Sequence, residues 1–188
     1  MNRTNGLSKD QQTLLDNLTR ELFQTETSAV RHSNREADRL GSTPPALALR
    51  QVSAHASSIL EELPALAEHN GMIVSKGGAV VGEMFSQLRD KFADALIDSE
   101  RSYRGTLLGM QHGLGVVHLL LHFANVNRKS DLEQFCLSWI AARTPLVVAV
   151  RDQLRWFAER PSEAVKLARP PLLRWRARSR DHTVRGDA

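Results

Sequence analysis

An all-α fold is expected of this chain: an antiparallel four-helix bundle with one long third helix, kinked or split, and a flexible basic C-terminal tail. Apolar residues recur at helical spacing through several stretches. Serine- or proline-led starts and glycine stops punctuate those stretches. No run alternates apolar and polar residues in the manner of a strand, and no hairpin turn is flanked by β-branched residues. The 188 residues are enough to bury a substantial core. They divide into a bundle over residues 1–165 and a tail over 166–188.

The first helix is expected to begin at Ser8, with Gln11 placed for the reciprocal bond of a capping box. Its stripe runs Leu15, Leu18, Leu22, Ala29, Ala37 and Leu40, but the middle turns polar at Thr25, Glu26, His32, Ser33 and Glu36. Gly41 should end it. Pro44 and Pro45 suit the first turn of the second helix, which carries Leu49, Val52, Ala56, Ile59, Leu63 and Leu66 as far as the stop at Asn70-Gly71.

The third stripe keeps one phase from Val81 to Ala124, which predicts a helix from about Ala79 to Asn127. At 1.5 Å per residue such a helix would exceed about 70 Å, more than its neighbours can cover, so a break is expected near the glycines. Gly105, Gly109 and Gly113 recur four apart on one face. Each costs a helix about 1 kcal/mol relative to alanine, and close approach of a neighbouring helix is the expected compensation. The last helix should be capped by Ser130, with Glu133 in the capping-box position, and end before Pro161. Its stripe is Leu132, Phe135, Trp139, Ala142, Leu146, Val150, Leu154 and Phe157.

The net charge of +4 is unevenly spread. Residues 166–188 hold seven Lys/Arg against Asp181 and Asp187, while residues 1–165 hold 18 basic and 19 acidic side chains. Any contact with nucleic acid or an anionic membrane therefore falls to the tail. There Arg174, Trp175, Arg176, Arg178 and Arg180 alternate phosphate-binding guanidinium groups with a stacking aromatic. Arginine outnumbers lysine twenty to five over the whole chain, which weakens that signal. The N-terminal stretch has no apolar signal core. Leu107–Val126 is long enough to span a bilayer, but Gln111, His112, His118, His122 and Asn125 interrupt it. A buried helix is expected there, with no transmembrane segment. The single cysteine, Cys136, excludes an intrachain disulfide and a multi-cysteine zinc site, and makes a reducing cytoplasmic location the expectation.

No Ser/His/Asp or Cys/His arrangement can be assembled by spacing, and no catalytic residue or cofactor is predicted. Carboxylate-bridged di-iron bundles, of ferritin-like architecture, place Glu-x-x-His pairs on two of their helices. None of the seven histidines here has an acidic residue three positions before it. His118 and His122 share one helical face a turn apart, a common chelating arrangement, and His32 and Glu36 form a second such pair. Hemerythrin-type bundles use pairs of this kind, but the last helix has no histidine.

The leading expectation is a non-catalytic bundle acting through protein–protein association, with itself as the first partner. The competing reading is a metal-binding or oxidoreductase bundle holding iron or zinc, with ligands among Glu26, His32, Glu36, Glu100, His118 and His122. A third is nucleic-acid or anionic-membrane contact through the tail. Glu100 and Arg104 are also spaced for an ordinary i, i+4 ion pair beside Tyr103.

Overall fold

The structure, a computed structural model, describes residues 7–72 and 97–168. About 86% of these residues are helical, and none belongs to a named strand. Four long helices dominate: α1 (Lys9–Leu40), α2 (Pro44–Asn70), α3 (Ser99–Val126) and α4 (Ser130–Asp152). Two short ones follow, α5 (Leu154–Ala158) and α6 (Pro161–Ala164).

The first two helices end where the local chemistry requires. Ser8 and Gln11 form the complete capping box, with Gln11 N–H donating to Ser8 Oγ and Ser8 N–H to Gln11 Oε1. Gly41 (φ +69) and Gly71 (φ +63) close α1 and α2 in backbone conformations that other residues rarely adopt. Pro64 and Pro145 lie inside continuous helices, both on exposed faces, where water can take over the hydrogen bond each removes. At α4 the first helical residue is Ser130 itself, and its side chain caps nothing.

The third helix is shorter than its apolar phase suggested. It begins at Ser99, because Ile97 to Ser99 pair with the chain beyond α6 instead of continuing a helix. Ser99 N–H donates to Lys166 O at 2.7 Å, and Ala168 N–H to Ile97 O at 2.9 Å, around an antiparallel bridge between Asp98 and Leu167. Asp98 is extended (φ −68, ψ 154). The break thus lies upstream of the glycines, and α3 runs through all of them. Residues 79–96 of the expected helix lie outside the described residues. The last expected helix is also divided, by a turn at Gln153.

Each long helix packs on two others: α1 on α2 and α3, and α4 on α2 and α3. The side chains between them form two apolar clusters. One joins Leu18 and Leu22 of α1 to Leu63 of α2, Leu120 of α3, and Leu132 and Trp139 of α4. The other joins Ala37 of α1 to Leu49 of α2, Tyr103 and Met110 of α3, and Val147 and Val150 of α4. Tyr103 satisfies its buried hydroxyl by donating to Val150 O at 2.9 Å.

Candidate functional site

Between the two clusters every long helix contributes a polar or small residue. Glu26 stands on α1 between Leu22 and Ala37, and His55 on α2 between Val52 and Ile59. On α3, Gly113 stands between Met110 and Val117; on α4, Arg143 stands between Trp139 and Val147. Polar side chains of α1, α2 and α4 therefore form a layer between the two clusters, beside Gly113 of α3, while Leu114 of α3 packs against both clusters. This layer coincides with the polar interruption in the α1 stripe.

Glu26 and Arg143 pair within this layer, Arg143 Nη2 donating to Glu26 Oε2, with each side chain 2% exposed. The guanidinium carbon lies 4.9 Å from the centroid of the Trp139 ring, a cation–π contact. His55 meets the same ring edge-on at 6.2 Å. Burial pushes the Glu26 carboxyl up to about 7, against the opposing pull of Arg143. Burial, with the charge of Arg143, pushes His55 down to about 4, so its imidazole is neutral at neutral pH. The Trp139 indole N–H favours the ionised Glu26 but meets no acceptor in hydrogen-bond geometry. His55 Nδ1 and Arg143 Nε are likewise buried without a protein partner.

A carboxyl pushed toward neutrality and a neutral imidazole are features of acid–base sites, and here the two are linked through Arg143 and Trp139. Here the carboxyl is sealed from solvent and held by a guanidinium, so the layer pins the helices against one another. Glu36 makes a second buried arrangement one level away. It accepts from Arg39, and its Oε1 accepts from Ser102 Oγ at 2.5 Å.

The six candidate metal ligands fall into different surroundings. Glu26 and Glu36 are buried in the two arrangements above, and His32 is half-buried. Glu100 pairs with Arg104, Nε to Oε2 at 2.6 Å and Nη2 to Oε1 at 3.1 Å. His118 and His122 are exposed on α3. Among the described residues no three His, Cys, Asp or Glu side chains come together as a metal-binding group. Cys136 is buried, and its thiol is pushed up to about 12 by that burial.

Of the glycines, Gly113 faces α1, where a Cβ would lie 3.7 Å from Thr25, ordinary contact. Gly109 is exposed, with open space where its Cβ would be, and Gly105 is half-buried. Arg174, Trp175, Arg176, Arg178 and Arg180 lie outside the described residues.

The outer face of α3 is the second notable region. No charged residue occurs from Gly105 to Asn127. Leu108 (60% exposed), Leu119 (48%) and Val126 (77%) stand on it. At 3.6 residues per turn these three fall on one side of the helix together with Gly115, His112 and His122. His112 Nε2 lies 2.9 Å from Glu21 Oε1 of α1. By length and composition α3 is the one described helix apolar enough to cross a membrane, and its inner face packs in both core clusters.

Arg143, His55 and Ser102 are the residues of the Glu26 and Glu36 arrangements that sequence reasoning missed; on α4, Ala142, expected in the core, is exposed, and Arg143 takes its place. The signal for Arg143 was present in the buried series Leu132, Cys136, Trp139, Arg143, Val147 and Val150, which is a regular helical stripe. Neither a protein-family model, a curated protein nor a solved structure matches this chain.

Proposed function

We propose that this protein is a non-catalytic, cytoplasmic helical bundle that acts by protein–protein association, first with a second copy of itself, through the outer face of α3. The observation that carries the reading is the uncharged stretch from Gly105 to Asn127 with Leu108, Leu119 and Val126 exposed along it. Single exposed leucines need no explanation; three large apolar side chains along one uncharged helix face, with His112, Gly115 and His122 between them, support an interaction surface. Glu26, Tyr103 and Cys136, three of the groups whose acid–base behaviour is strongly shifted, are buried away from any substrate, which favours a binding role over a catalytic one.

An antiparallel four-helix bundle is the architecture this reading adopts. Its support is the composition of the two clusters. The first unites the N-terminal half of α1 with the C-terminal halves of α2 and α3 and the N-terminal half of α4, and the second unites the opposite halves.

Sedimentation of the full chain across micromolar concentrations tests the association. The wild type is expected to show a concentration-dependent dimer, and Leu108→Glu/Leu119→Glu a monomer with unchanged helicity. A wild type that stays monomeric throughout overturns the proposal.

A further inference from the structure

The α3 stripe is small for the task given to it. From Leu108 to Val126 it is about 27 Å long and about 10 Å wide, roughly 300 Å². A stable interface of standard size buries about 800 Å² per partner. Apolar contact along this stripe alone therefore supports only weak association, and a stronger link would have to come from chemistry at its edge.

That edge carries His118 and His122. Both are exposed. One turn apart on one face, their Cβ atoms lie about 5–6 Å from each other, within reach of a single ion. They flank Leu119 on the side of the stripe opposite His112, which is engaged with Glu21. Zinc in a closed site takes four ligands in a tetrahedron, and imidazole nitrogen suits zinc, copper and nickel. No described third ligand accompanies the pair within one chain. One copy thus supplies half of a tetrahedral set, and a symmetric second copy supplies the other half. The absence of charge along the stretch removes like-charge repulsion between two copies brought face to face.

From this we infer that His118 and His122 of one copy, with the same two residues of a second, bind one divalent transition-metal ion that clamps two α3 helices together. The inference rests on the self-association reading and specifies how that contact is regulated: metal availability sets the dimer population. Histidine ligands exclude the hard cations magnesium and calcium, which prefer oxygen.

The test is sedimentation of the full untagged chain with zinc chloride, with magnesium chloride, and with chelator, for the wild type, His118→Ala/His122→Ala and Leu108→Glu/Leu119→Glu. Zinc is expected to tighten the wild-type dimer at least about tenfold, with one zinc per two chains, and magnesium to leave it unchanged. His118→Ala/His122→Ala should lose the response to zinc, so that its association is the same in zinc as in chelator. A metal-free dimer with no zinc response, a response that survives the histidine changes, or one zinc per chain without dimerisation overturns the clamp. The first of these outcomes leaves the association reading standing. A wild type monomeric in chelator and in zinc overturns both.

Discussion

Arg143 on α4 and Glu26 on α1 form an ion pair 117 positions apart in the chain, closed to solvent on both sides, at the level where the two apolar clusters meet. Removing two charges from water is expensive, and such pairs stabilise little relative to well-packed apolar residues. Their clearest use is to fix register, because any sliding of α1 against α4 would strand a charge in an apolar cluster. Three other polar atoms of the layer have no protein partner, which adds to its energetic cost.

Single and double substitutions separate these roles. Glu26→Leu or Arg143→Met alone should lose about 3–5 kcal/mol, because the remaining partner becomes an uncompensated buried charge. The double variant should recover most of that loss. Urea denaturation of the four proteins gives the coupling, and additive losses would contradict the assignment of a paired layer.

The same layer predicts an unusual pH profile. Glu26 is raised from 4.5 to about 7, so its contribution to stability is full below pH 4.5 and is lost as the pH rises through 7. His55 is lowered from 6.5 to about 4, so its contribution is full above pH 6.5 and is lost as the pH falls through 4. Between pH 4.5 and 6.5 the two oppose each other. Urea midpoints of His55→Asn should therefore rise on acidification through this window, and those of Glu26→Gln should fall. Parallel profiles for the two variants would show that these groups do not titrate as assigned.

The glycine caps offer a backbone test free of packing effects, since a Cβ at Gly41 or Gly71 meets nothing within 4 Å. Gly71 (φ +63, ψ 32) has the left-handed helical conformation that closes α2. Alanine there should lose about 1 kcal/mol. Gly41 (φ +69, ψ −128) lies outside that region, and alanine should lose more, about 1–3 kcal/mol. Thermal unfolding of the two variants gives the order directly.

The helices α1 and α2 were legible in the sequence, because Ser8, Gln11, Gly41, Pro44 and Gly71 act locally. The polar residues Glu26, Ser33 and Glu36 in the α1 stripe were also legible as an anomaly, and all three are buried. Their partners were not. Arg143 and Ser102 come from other helices, and nothing local distinguishes a buried arginine from an exposed one until facing helices are placed. The start of α3 failed for a similar reason. Apolar periodicity continues past Asp98, but pairing with residues 166–168 removes the backbone groups a continuous helix would use. The exposed leucines of α3 share one uncharged stretch with its buried ones, so composition gave no inside and outside.

The most direct test of association through α3 is the distance between two nitroxide labels at position 115 in the full chain. Gly115 is exposed with open space where its Cβ would be, so Gly115→Cys fits; Cys136 is buried with its thiol pushed up to about 12, so it resists labelling. The expected result is a defined intermolecular distance of roughly 30 Å or less, as for helices of about 10–12 Å diameter in contact. A control label at the exposed Gln51 on α2 should give a longer one. No defined distance at position 115, or a shorter one at position 51, would contradict self-association through the outer face of α3.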